Sequence, residues 1–134
     1  MKEVSRDPSV GTFRAVGLPA VDFDAFHRHE LPRRLANGGN ERVAWDVAET
    51  APFAFQRPNG SAYSYVPRAG RIEIRPGVVD DAGLVIEITE EAWQDYVHEL
   101  RTRIGLLYSG AVRFPVGDYD DWDDWEPALR SLYS

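Results

Sequence analysis

The side chains able to do chemistry are few in this chain and poorly spaced for it. His27 and His29 lie two apart on an expected helix, so they point in different directions. Metal ligands on a helix need a spacing of three or four, and the facial iron triad also needs a carboxylate close to one histidine. Neither His27-Arg28-His29-Glu30 nor His98-Glu99-Leu100 supplies that pattern. His98, between Asp95 and Arg101, is expected on the outer side of its helix. The acidic run Asp118, Asp120, Asp121, Asp123, Asp124 and Glu126 brings calcium to mind, but it lacks the glycine and the terminal glutamate of an EF-hand loop. Acids ahead of a helix, or a solvated face, account for it better. No Gly-x-Ser-x-Gly elbow, phosphate loop or Gly-x-Gly-x-x-Gly turn occurs, and there is no cysteine. The expectation is a domain with no metal site, no cofactor and no catalytic residue.

What remains is apolar. Trp93, Tyr108, Phe114, Trp122 and Trp125 form an aromatic set that suits either plain core packing or the lining of an apolar pocket. Adding the helix positions that share their faces gives the candidate pocket: Phe26, Trp93, Val97, Tyr108, Phe114, Trp122, Trp125, Leu129 and Leu132. The terminal helix carrying Trp125, Leu129 and Leu132 is the candidate lid, because a terminal element is the most easily displaced. Arg28, Arg33, Arg34 and Arg42 cluster near the first helix, where they could meet a carboxylate or a CoA phosphate or simply balance surface acids.

These side chains need elements to hold them. Asp22 caps a first helix with Phe23, Phe26 and Leu31 on its inner stripe; Pro32 kinks or restarts it, and Asn37-Gly-Gly-Asn40 ends it. Val43, Trp45 and Val47 alternate like a short strand. Pro52–Arg57, Ser61–Val66, Arg71–Arg75 and Leu84–Ile88 read as strands, with Pro58-Asn-Gly60 as a turn. Ile72 and Ile74 share a face, as do Leu84, Ile86 and Ile88, so one face of the sheet meets the core and the other is partly wet. Thr89 caps a helix to about Arg101 with Trp93, Tyr96, Val97 and Leu100 at helical spacing. Residues 104–108 read as an apolar connection. Ala111–Val116 is a last strand, and Pro115 fits either an edge position or a strand end. Pro127 is expected to forbid an unbroken C-terminal helix, which would begin near Glu126.

Length and composition fit one domain: an N-terminal arm over residues 1–20 and a folded unit over 21–134. The net charge of −7 argues against a nucleic-acid partner and against docking on an anionic membrane by charge alone. No apolar run is long enough to span a bilayer, and the start of the chain has no apolar core of a signal peptide. A cytoplasmic location is the expectation, and the absence of cysteine fits it.

The block Gly70-Arg-Ile-Glu-Ile-Arg-Pro-Gly77, then Gly83-Leu-Val-Ile-Glu-Ile-Thr-Glu-Glu-Ala-Trp93, then Gly110-Ala-Val-Arg-Phe114 resembles the sterol carrier protein type 2 family in order and spacing, over roughly residues 50–133. The resemblance implies an α+β fold with a roughly five-stranded, mostly antiparallel sheet and helices on one face. It also implies an apolar cavity for a fatty acid, an acyl-CoA or a sterol-like molecule. The C-terminal segment departs from the family pattern, with two tryptophans in an acidic run and a proline. A narrower likeness, at Tyr96-Val-His-Glu-Leu-Arg101, Gly105-Leu-Leu-Tyr-Ser-Gly110 and Asp124-Trp-Glu-Pro-Ala-Leu-Arg130, is to the N-terminal region of actinobacterial proteins resembling phytanoyl-CoA dioxygenases. It implies an accessory domain that serves an iron- and 2-oxoglutarate-dependent catalytic partner. A third reading is a small tailoring enzyme using Tyr63, Tyr65 and Glu87 in an apolar cavity.

Overall fold

The computed structural model describes residues 21–38 and 40–133; the N-terminal arm expected over 1–20 lies outside them. The first helical segment starts as α1 (Phe23–Ala25), passes through a π-helical turn (Phe26–Glu30) and continues as α2 (Leu31–Ala36). Asp22 caps it, its carboxylate accepting from the Ala25 N–H at 2.7 Å. The π turn explains a spacing that fits no α-helix: Phe26 and Leu31, five apart, are both buried. A π turn takes one more residue, returns Leu31 to the core face, and lets Pro32 begin the next helix without blocking a hydrogen bond.

Five strands follow in one sheet of order β3-β2-β1-β4-β5: β1 (Phe53–Gln56), β2 (Ala62–Arg68), β3 (Arg71–Pro76), β4 (Leu84–Ile88) and β5 (Val112–Val116). β1 and β4 are parallel and the other pairs antiparallel. Pro115 lies on the edge strand, as its missing N–H requires. The core face carries Phe53, Phe55, Tyr63, Tyr65, Leu84, Ile86 and Ile88, all buried under helices. The opposite face is drier than its alternation suggested. Ala54, Ser64, Val66 and Val85 are buried there too. Ser64 ties the β3–β4 connection across this face, donating to the Gly77 carbonyl at 2.7 Å and accepting from the Val79 N–H at 3.0 Å.

Expectations change at four places, the last of them the end of the helix that Thr89 caps. Residues 43–47 are not a strand: α3 (Glu41–Asp46) buries Ala44 and leaves Trp45 60% exposed. The apolar stretch after residue 102 is a helix, α5 (Arg103–Tyr108), capped by Thr102, which accepts from the Gly105 N–H. The last helix, α6 (Tyr119–Tyr133), runs unbroken through Pro127. Pro127 is on the exposed face, so the Asp123 carbonyl it deprives of a partner can turn to water. Asp118 opens α6 by accepting from the Asp120 and Asp121 N–H groups. Gly117 makes the corner possible: its φ is +78°, and a Cβ there would lie 2.5 Å from the Gly83 carbonyl oxygen.

Helix α4 (Glu90–Val97) begins at Thr89 as expected, its side chain accepting from Ala92 N–H, but it stops before Arg101. Glu99 adopts φ 59°, while Leu100 N–H bonds to the Asp95 carbonyl and Glu99 N–H to the Tyr96 carbonyl. This is a Schellman stop with glutamate where glycine is usual. Replacing Glu99 by Gly relieves that backbone and loses one contact with Arg130, which keeps Glu126 at 2.6 Å. Glu99→Gly is therefore expected to stabilise the domain by up to about 1 kcal/mol, read as a higher urea midpoint with an unchanged slope.

Candidate functional site

The space between the sheet and α6 is filled by aromatic rings. Trp125 packs on Phe53 with centroids 4.9 Å apart, Phe53 stacks on Tyr65 at 4.5 Å, and Trp122 lies 5.3 Å from Tyr96. Polar edges are matched as well. The Trp125 indole donates to the Ala51 carbonyl at 3.2 Å and the Trp122 indole to the Tyr96 hydroxyl at 3.3 Å. Tyr96 in turn donates to Glu126 at 2.6 Å, and Arg103 and Arg130 close on the same carboxylate. Trp122, Trp125, Leu129 and Leu132 thus anchor α6 to the core.

Open volume lies at the other end of the helical layer. A cleft of about 720 Å³ runs between the first helical segment, the end of α4 and the last residue of α6. Its floor is Val21, Ala25, Phe26, Val97 and Tyr133; its polar rim is Asp22, His29, Glu30, Arg33, Arg34 and His98. Val21 is fixed there by Gln94, whose side chain accepts from the Val21 N–H at 3.0 Å and donates to its carbonyl. On the rim, Glu30 accepts from Arg33 at 2.6 Å and from Arg34 at 2.8 Å. These hydrogen bonds, Arg33 first and Arg34 second, hold the Glu30 carboxyl down at about 2. Arg34 also donates to the Leu132 carbonyl at 3.1 Å, fastening α2 to the end of α6.

Beneath the floor runs a buried polar chain. The His27 Nδ1 lies 2.8 Å from the Phe23 carbonyl, which can only accept, so this nitrogen carries the proton. Nε2 is then bare and accepts from the Tyr65 hydroxyl at 2.6 Å. The Tyr65 proton being committed, Tyr133 must donate to Tyr65 at 2.6 Å. Burial pushes His27 down to about 4, outweighing the Phe23 carbonyl and the Asp24 charge, which favour protonation. Burial also raises the Tyr65 and Tyr133 phenols well above their ordinary range.

Of the nine candidate pocket residues, the structure brings Phe26 and Val97 to the cleft. Trp93 lies one layer below, its ring 5.5 Å from Phe26. Trp122, Trp125, Leu129 and Leu132 face the filled interior, and Phe114 packs against Trp122 at 6.1 Å. Tyr108 does not line this cleft: at the end of α5 it is 83% exposed. Of the four clustered arginines, Arg33 and Arg34 reach the cleft; Arg28 instead donates to Tyr63 at 2.7 Å, and Arg42 lies on the outer face of α3. Tyr133 and His98 were missed as cleft residues. The stripe Trp122, Trp125, Leu129, Leu132 extends by one step to Tyr133, which was the available signal. His98 sits on the rim rather than apart from any site. Tyr63, Tyr65 and Glu87 do not converge: the tyrosines are on the core face, while Glu87 is on the other, paired with Arg113 at 3.4 Å. No cluster of three potential metal ligands occurs among the described residues, and none of their helices is long and apolar enough to cross a membrane.

No family model matches the chain, and no curated protein matches it significantly in sequence. Solved structures do. A conserved hypothetical protein of Thermus thermophilus, described as possibly a sterol carrier protein, superposes with a TM-score of 0.59 at 17% identity, covering 86% of this chain and 87% of its own. Apo sterol carrier protein 2 from Yarrowia lipolytica gives 0.63 at 14% identity, covering 87% and 99%. The sec-alkyl sulfatase PisA1 of Pseudomonas, as a double mutant, gives 0.63 at 16% identity, covering 82% of this chain but 16% of the sulfatase. The fold is thus the sterol carrier protein 2 fold, as the strand-to-helix blocks suggested.

His27 carries a pH dependence whose sign follows from its burial. Between pH 6.5 and about 4 the unfolded chain binds a proton at His27 that the folded one does not. Stability is therefore expected to fall as pH drops through this window, by about 3 kcal/mol from this group once below it. Urea titrations of His27→Gln across the same range should show a shallower slope between pH 6.5 and 4.5 than the parent protein.

Proposed function

We propose that this domain binds an amphipathic small molecule, a fatty acid, acyl-CoA or sterol-like compound, in the cleft beneath the first helical segment, without chemistry of its own. The observation that carries this reading is the cleft's construction: an apolar floor of Phe26, Val97 and Tyr133 with Arg33 and Arg34 on its rim. A volume of about 720 Å³ suits a small-molecule site. The floor offers burial to an apolar chain and the guanidiniums offer charge-assisted hydrogen bonds to a carboxylate or phosphate. The sterol-carrier fold is consistent with such cargo. Against an enzyme stand the raised phenols of Tyr63 and Tyr65 and the placement of Glu87 behind the sheet.

A second reading is an accessory domain of a larger enzyme, such as the dioxygenase-like proteins suggested by sequence. The sulfatase favours it, since there the same fold occupies a small part of a long enzyme chain. Exposed Ile104 and Tyr108 on α5 would then meet the partner.

Native mass spectrometry of the purified protein with palmitate and with its neutral alcohol, hexadecanol, separates these readings. The carrier reading expects an adduct with each. Val97→Trp, which fills the floor from a half-buried position, should weaken both by more than tenfold. Arg33→Gln should weaken palmitate about tenfold and leave hexadecanol unchanged. A clean apo mass with both ligands would overturn the carrier reading and leave the accessory one.

A further inference from the structure

The fixed charges on the cleft rim cancel. Asp22 and Glu30 supply two carboxylates, and Arg33 and Arg34 supply two guanidiniums. Glu30 already holds both arginines, Arg33 at 2.6 Å and Arg34 at 2.8 Å. An anionic head group entering the cleft therefore meets a rim with no net charge, and it competes with Glu30 for its arginines. Two rim side chains remain whose charge is not fixed, His29 and His98. Imidazole is the side-chain type that changes charge near neutral pH, whereas carboxylates and guanidiniums keep theirs there.

The two histidines stand on different walls. His29 is exposed in the π-helical turn of the first helical segment, and His98 is the C-cap of α4. The His98 Nδ1 lies 3.3 Å from the Gln94 carbonyl, which can only accept, so this nitrogen carries the proton and Nε2 is the one that gains a second. Among the described residues no other hydrogen bond reaches either imidazole.

The charged groups around them are engaged elsewhere. Asp95, one turn before His98, is buried against Arg101 at 3.5 Å, and Glu99, next to His98, meets Arg130 at 3.2 Å. Beside His29, Arg28 donates to Tyr63, while Glu30 and Arg33 hold each other. Asp22 caps the first helical segment. Tyr133, from α6, stays neutral because burial raises its phenol. His27 lies beneath the floor, and burial keeps it at about 4.

We propose that His29 and His98 select an anionic head group for the cleft: once protonated, they turn a neutral rim into one with two positive charges and present N–H donors from both walls. This selection rests on the small-molecule reading of the cleft and narrows its cargo to a chain ending in a carboxylate, sulfonate or phosphate. An anion bound there stabilises both imidazoles in their charged form, so cargo and protons are taken up together. Affinity for an anionic chain rises as pH falls, and affinity for a neutral chain does not.

Isothermal titration calorimetry of the full chain with decanesulfonate, below its micelle concentration, and with decanol tests this. The sulfonate keeps its charge throughout, so the cargo itself does not titrate. Between pH 8 and 6 its affinity should rise about tenfold, and decanol's should stay level. Repeating the titration in buffers of different ionisation enthalpy should show proton uptake with the sulfonate and none with decanol. His29→Gln and His98→Gln should each leave a rise of about threefold, and the double variant none. His29→Lys, with a permanent charge, should raise the affinity at pH 8 about threefold. An equal rise in the double variant would assign the effect to the net charge of −7 and overturn the proposal. Decanol binding with a sulfonate affinity that ignores pH would also overturn it, and would leave the cleft reading standing. Binding of neither ligand would remove both.

Discussion

The structure depends on one constraint: the space between the sheet and the helices is filled by rings, and their polar edges are all but matched inside it. Trp93, Trp122 and Trp125 lie fully buried with Phe53, Phe55, Tyr65 and Tyr96. Removing a buried ring of this size costs about 3–5 kcal/mol, a large share of a small domain's stability. The C-terminal helix is therefore an anchor. Its two indoles reach the Ala51 carbonyl and the Tyr96 hydroxyl, and Glu126 gathers Tyr96, Arg103 and Arg130. An element held this way is a poor lid, and room for a ligand lies at the margin of the aromatic core, where the first helical segment meets the ends of α4 and α6.

That margin exists because of a local irregularity. An unbroken α-helix from Phe23 would turn Leu31 away from the face of Phe26. The π turn restores Leu31 and spreads the segment over the cleft. The His27–Tyr65–Tyr133 chain then joins this segment to the sheet and to the end of α6 through three side chains, with the histidine kept neutral by burial. Cleft wall and polar chain share the same helical segment, with Phe26 of the wall next to His27 of the chain.

Much of this was legible in the sequence wherever the pattern was local. The strands over 62–88 and the Thr89 cap follow from alternation and capping chemistry, and the missing N–H of Pro115 narrowed its strand to an edge or its residue to a strand end. Errors arose where tertiary context overrode a local rule. Val43, Trp45 and Val47 alternate, yet Ala44 is the residue α3 buries. Pro127 breaks helices in general, but on a solvent face its freed carbonyl has water. Glu99 carries no glycine signal for a helix stop that its backbone nevertheless makes. The candidate site was half legible for a related reason. Residue type marks the aromatics for pocket lining, but type does not separate a ring that fills a cavity from one that walls it. Phe26 and Val97 differ from Trp122 and Trp125 in what lies opposite them, and only the packing decides that.

Charge shows the same limit in another form. A total of −7 describes how the molecule behaves at a distance, but at contact the relevant quantity is the charge of the face presented. Residues 77–133 hold the excess of acid, and the β3 edge is nearly balanced. Charges farther apart than a Debye length of about 8 Å at physiological salt are largely screened from one another, so the acids of the β5 flank count for little at the β3 edge. The sheet order, which no composition reveals, turns an acidic chain into a molecule with two unlike sides.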